Sequence, residues 1–120
     1  MTIKRIHSAS PFETKVGYCR AVVAGGWVHV AGTVGQGDTV EEQCQSALTI
    51  IEEALQNASA SFSDVVRVTY MLPDADDFEL CWPYLRAAFG EAPPAATMIK
   101  CDLIKPHFRI EIEVTALLPE

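Results

Sequence analysis

The stretch from His107 to Leu117 alternates without a break. Phe108, Ile110, Ile112, Val114 and Ala116 fall on one side, and His107, Arg109, Glu111, Glu113 and Thr115 fall on the other. A period of two over that length predicts a β-strand with one buried face. The polar side carries two carboxylates and an arginine, which leaves two readings open. Either it is a solvated face, with Glu111 paired to Arg109, or Glu111 looks into a ligand cleft.

The rest of the chain supplies partners for that strand. Residues 2–7 read as a short edge strand and Ser8 to Val16 as a loop around Pro11. Gly25-Gly26 is a turn signal between apolar runs, so residues 18–31 are predicted to form a hairpin, with strands at 18–23 and 27–31. Gly32 to Asp38 holds three glycines and reads as a loop, but it lacks any phosphate-binding spacing. Thr39 followed by Glu42 fits a capping box. Val40, Cys44, Ala47, Leu48, Ile51, Ala54, Leu55 and Ala58 then recur at helical spacing, predicting a helix over 40–58.

Ser59 to Asp64 reads as a linker. Val65 to Leu72 is rich in β-formers and apolar on both faces, as a central strand would be. Asp74 or Asp76 can cap a second helix carrying Phe78, Cys81, Trp82, Leu85, Ala88 and Phe89 on one side, ended by Gly90. Pro83 conflicts with it, because an internal proline costs roughly 3 kcal/mol. A kink near 79–83, or two short helices with Pro83 opening the second, is expected. Pro93-Pro94 leads to a strand at about 95–102, and a Lys105-Pro106 turn leads to the final strand.

A strand–helix–strand crossover is nearly always right-handed. Two successive crossovers of that hand place both helices on one face of one sheet. The other face then has no cover within the chain, so an oligomer in which sheet faces meet is expected. One domain spanning 1–120 suits the length. The net charge of −7 repels phosphates and argues against a nucleic-acid partner. No run of eighteen apolar residues is present, so no membrane span is expected. The residues from Met1 to His7 lack the apolar core of a signal peptide. Cys19, Cys44, Cys81 and Cys101 are scattered without a Cys-x-x-Cys pair, as reduced thiols of a cytoplasmic protein would be. His7, His29 and His107 show no ligand spacing, so neither a metal nor another cofactor is expected.

These residues together are similar to the RidA (YjgF) family of reactive-intermediate deaminases. The resemblance covers nearly the whole chain. It rests on Gly17-Tyr18, the hairpin ending in Val30-Ala31-Gly32, and Gln43 on the first long helix. It rests further on Asp77-Phe78, Pro94-Ala95 and Ile110-Glu111-Ile112-Glu113. It implies an α+β, chorismate-mutase-like fold: a mixed sheet with two helices on one face. It also implies a homotrimer built as a central barrel, with small-molecule clefts between subunits. The implied chemistry is hydrolysis of enamines and imines.

The same resemblance marks where this chain departs. Tyr18 and Glu111 match a cleft tyrosine and the catalytic-site glutamate, and Thr97 stands where the family often has serine. Ala96 replaces the arginine that binds the substrate carboxylate, Ala31 replaces a cleft serine, and Trp82 replaces a cleft asparagine. A guanidinium holds a carboxylate through two charge-assisted bonds, each contributing roughly 1.5–3 kcal/mol, and alanine supplies neither. Arg20 or Arg109 is a candidate substitute. Tyr18 either donates to a ligand or packs at a subunit edge; Trp82 and Trp27 read as packing residues, and Cys101 as an inert thiol.

Three functions are therefore weighed. One is an enzyme acting on a small metabolite, with Glu111 as its acid/base. The second is a binding module with the same cleft and no chemistry. The third, a ribonuclease, is opposed by the acidic balance.

Overall fold

The computed structural model describes residues 2–120. Its strands are β1 (Ile3–Ile6), β2 (Ala21–Ala24), β3 (Trp27–Val34), β4 (Val65–Leu72), β5 (Ala95–Lys100) and β6 (Glu111–Leu117). Its α-helices are α1 (Phe12–Val16), α2 (Val40–Asn57) and α3 (Phe78–Phe89). The strands form one sheet in the order β1-β2-β3-β6-β4-β5. Strands β4 and β5 pair in parallel, and the other neighbours pair antiparallel.

The strand that is last in the chain thus lies inside the sheet, between β3 and β4. Its apolar side chains Ile112, Val114 and Ala116 are buried. They stand in register with Val28 and Val30 of β3 and with Val68 and Tyr70 of β4. Helix α2 covers this face with Val40, Cys44, Ala47, Ile51 and Leu55, all fully buried. Removing a large aliphatic side chain from such a core costs about 2–5 kcal/mol, which is why an apolar period marks α2 and residues 111–117. Helix α3 lies on the same face. The Phe78 ring meets Tyr70 of β4 at 5.2 Å, and the Cys81 thiol donates across to the Val40 carbonyl of α2 at 4.0 Å. The neighbouring Cys81 thiol and burial push the Cys44 thiol up, so it remains a packed, protonated group.

Local chemistry fixes the boundaries. Gly25 and Gly26 take φ of 59° and 84°, as a two-residue hairpin turn of that hand requires. Thr39 and Glu42 form the expected capping box at the start of α2. Asp74 accepts from the Asp76 amide and opens a 3-10 turn that runs into α3.

The structure corrects several expectations. Residues 12–16 form a helical turn inside the segment read as a loop. Strand β2 begins at Ala21 rather than at 18, and β3 continues to Val34 through residues read as loop. Helix α3 is one helix that contains Pro83, not two short helices with Pro83 opening the second. Glu79, whose carbonyl loses its partner there, is exposed, so water can satisfy it. Strand β4 is not apolar on both faces: Arg67, Thr69 and Met71 face away from the helices, while Val68, Tyr70 and Leu72 face them.

The largest correction concerns residues 107–110, which are not part of β6. Gln43 of α2 donates to the His107 carbonyl at 3.0 Å and accepts from the Arg109 amide at 2.8 Å. One side-chain amide does there what a neighbouring strand would do, so the alternation persists without a ladder. Arg109 is also not beside Glu111. Its guanidinium grips Asp77 at 3.0–3.1 Å from Nε and Nη2.

Candidate functional site

Strands β3 and β6 slip in register between Val30 and Thr33, producing a bulge at Ala31-Gly32. The bulge is fixed from two sides. The Ala31 amide donates to the Arg20 carbonyl at 2.9 Å. Arg20 in turn donates from Nη2 to the Gly32 carbonyl at 2.8 Å. Thr33, fully buried, donates to the Ala31 carbonyl at 2.8 Å.

Gly32 is where the first residue of β6 reaches its neighbour. A Cβ placed on Gly32 would lie 2.1 Å from Oε2 of Glu111, so the carboxylate occupies the space a side chain would fill. Glu111 is half-buried there. Burial raises its pKa above the ordinary glutamate value, the Glu113 charge raises it further, and the Arg20 guanidinium opposes both. A half-buried carboxyl whose pKa is raised, next to a cation, suits proton transfer.

Arg20 has bonding capacity to spare. Its Nε is buried and has no partner. Its guanidinium lies 5.9 Å from the Tyr18 ring centre. Tyr18 is exposed and follows Gly17, the left-handed residue that ends α1. Tyr18 and Ala31 line one cavity of about 680 Å³ together with Arg5, His7, Glu13 and His29. Glu13, almost fully buried, anchors its rim by accepting from the Ser8 amide and hydroxyl and by meeting His7 at 3.2 Å. Burial raises the Glu13 pKa, but the Ser8 bonds, His7 and Arg20 together outweigh it and hold the carboxyl below its usual range.

The other residues singled out from the sequence lie elsewhere. Trp82 and Ala96 share an apolar cavity of about 370 Å³ between α3 and the β4–β5 edge. Thr97 lies on the open face of the sheet, accepting from Arg67 at 2.6 Å, in the same register row as Thr69 and Glu113. Within one chain, then, Tyr18, Ala31 and Glu111 cluster around the bulge, with Trp82 and Ala96 in a second cavity. Of the two arginines considered as substitutes, Arg20 is the one beside Glu111, and Arg109 is engaged by Asp77. Sequence reasoning missed Glu13, which sits in a segment without periodicity. It also missed Arg67, whose signal was a cation in an otherwise apolar strand.

Among the described residues no group of three or more His, Cys, Asp or Glu side chains is placed to hold a metal ion, and no helix is long and apolar enough to cross a membrane.

Comparison with known proteins adds the family. The profile described as Endoribonuclease L-PSP matches residues 8–118. A RutC family protein of Pyrococcus abyssi is 31% identical over 108 residues, covering 82% of this chain and 84% of that protein. A 2-iminobutanoate/2-iminopropanoate deaminase of Capra hircus is 27% identical, covering 96% and 90%. Among solved structures, a member of the YjgF/YER057c/UK114 family from Mycobacterium tuberculosis superposes with a TM-score of 0.94 at 38% identity, over 98% of this chain and 100% of that one. A YjgF protein from Neisseria meningitidis gives 0.89 at 25% identity, over 100% and 98%. The mixed α+β sheet with its two long helices on one face is the architecture of these proteins, and the chain belongs to the endoribonuclease L-PSP family, also called RidA or YjgF.

Proposed function

We propose that this chain is a one-domain, small-molecule enzyme of the RidA family that hydrolyses an imine- or enamine-type metabolite, with Glu111 as its acid/base. The observation that carries this reading is the Glu111 carboxyl seated over Gly32, its pKa raised, with Arg20 alongside. In that role Glu111 moves a proton between the attacking water and the substrate nitrogen. Relatives named as imine deaminases, at 27% identity, support the reaction class.

The working unit in this reading is a homotrimer with clefts between subunits. Two features support it: among the described residues, neither long helix covers the sheet face that carries Arg67, Thr69 and Glu113, and the cleft residues fall into two separate groups. The bulge group (Tyr18, Arg20, Ala31, Glu111) belongs to one copy, and the cavity group (Trp82, Ala96) to the next. The free thiols of Cys19, Cys44, Cys81 and Cys101 suit a reducing, cytoplasmic setting.

A second reading, a metabolite-binding trimer without turnover, is favoured by one feature. Ala96 brings no guanidinium to the cleft, so a small 2-imino acid loses its usual anchor. A ribonuclease is opposed by the net charge of −7.

The test supplies imino acids of graded size, generated in situ by an amino acid oxidase, and follows their loss. The wild type is expected to accelerate hydrolysis. Glu111→Gln is expected to lose about 100-fold or more, within the usual range for general acid–base catalysis. Sedimentation equilibrium should give a trimer for both. Undiminished turnover in the Gln variant refutes the acid/base role, and a monomer refutes the shared cleft.

A further inference from the structure

The cavity that holds Ala96 is not merely a cleft lacking an arginine. Tyr70, Phe78, Trp82, Phe89 and Met98 wall it, and no acidic residue lines it. The Phe78 ring stands edge-on to Trp82 at 6.3 Å and tilted to Tyr70 at 5.2 Å, so the walls are already ordered by one another. Its volume of about 370 Å³ is within the range of ligand pockets for molecules well above four carbons. Ala96, projecting from β5 on the same side as Tyr70, keeps that space empty.

One charged side chain lines the cavity: Arg86. It follows Trp82 by one helical turn on α3, so the two share a face. Arg86 is exposed and makes no salt bridge among the described residues. An apolar, ring-lined cavity with one unpaired cation recognises an apolar body ending in an anion.

We infer that the ligand of this cleft is an amphiphilic carboxylate, with an aromatic or bulky branched body in the cavity under α3 and its carboxylate on Arg86. This rests on the reading of the cleft as the substrate site. It moves the anion anchor from strand position 96 to helix position 86, and it exchanges a small aliphatic substrate for a large apolar one.

Binding separates this inference from the catalytic one, because it needs no turnover. Calorimetry on the assembled protein with 3-phenylpropanoate, butanoate and 3-phenylpropan-1-ol reads the two halves of the ligand independently. Phenylpropanoate is expected to bind about tenfold or more tighter than either of the others: the charge-assisted bond is worth about a decade over the alcohol, and burial of the ring about a decade or more over butanoate. Arg86→Gln should bring phenylpropanoate down to the level of the alcohol. Ala96→Leu, which fills the cavity, should remove its advantage over butanoate. Equal binding of phenylpropanoate and butanoate overturns the inference. So does an unchanged affinity in Arg86→Gln, or no binding at all because a second copy of the chain fills the cavity. Loss of the acid/base role of Glu111 would leave the binding preference standing. Turnover confined to small imino acids, with no phenyl preference, would sink this inference alone.

Discussion

Arg109 and Arg20 sit in two regions that use the same side chain differently. Near the helices, Arg109 meets both oxygens of Asp77, while its own amide is held by Gln43. Beside the β3 bulge, Arg20 gives one bond to the Gly32 carbonyl, leaves Nε buried without a partner, and faces Glu111 without neutralising it. The first region is closed, with each charge matched. The second holds charge and bonding capacity in reserve. Buried polar groups are ordinarily satisfied, so the exception beside a carboxyl of raised pKa is what the proposed acid/base site at Glu111 asks for.

The contrast is tested most strongly by two glycines. A Cβ on Gly35 would lie 2.2 Å from the Gln43 carbonyl and 2.6 Å from the Ala47 amide, both backbone atoms of α2 that cannot step aside. Gly35→Ala is expected to cost about 1–3 kcal/mol or more in urea unfolding. A Cβ on Gly32 meets the flexible end of Glu111 instead. Gly32→Ala should therefore cost less than about 1 kcal/mol, because a carboxylate can swing away, yet it should abolish turnover. Equal destabilisation by the two would erase the distinction between the regions.

A smaller effect is expected at the closed pair. Asp77→Ala strips the guanidinium of Arg109 of its partner. The Arg109 side chain is 42% exposed, so water takes over part of the lost bonding and the cost should be about 1–2 kcal/mol rather than that of a fully buried pair. No change in the unfolding midpoint would mean that the pair is ornamental.

The smallest effect has a definite sign. Burial and Glu113 raise the folded-state pKa of Glu111 above its unfolded value. Between those two values the folded chain binds more protons, so stability falls as pH rises through the window. Above it, the charged carboxyl is a standing penalty that glutamine lacks. Glu111→Gln should melt with the wild type below about pH 4, the unperturbed glutamate value, and slightly higher at pH 8. A variant that melts lower at pH 8 would place Glu111 among the groups that hold the fold.

Sequence periodicity read the fold well where one side chain period meets one buried layer, as in α2 and the core of β6. It failed where backbone bonds come from a side chain. Residues 107–110 alternate like a strand, yet Gln43 holds them, and no local pattern reveals a partner on another element. The same limit explains Arg109, placed beside Glu111 by alternation but turned to Asp77 by the end of the ladder. In the candidate site, the family resemblance pointed to Tyr18, Ala31 and Glu111, and the fold brings them around one bulge. Arg86 was not, because a cation on an exposed helix face looks like any solvated charge until the cavity beside it is visible.

The position of β6 bears on how the molecule is made. Strands β3 and β4 do not pair with each other; each pairs with the strand that is synthesised last. Until residues 111–117 are made, nothing can join β1-β2-β3 to β4-β5 into one sheet. Pairing β6 with β3 joins residues far apart in sequence, which makes for slow folding, and it leaves β3 and β4 without their shared neighbour until then. The same strand that carries Glu111 is thus the last part of the sheet to arrive.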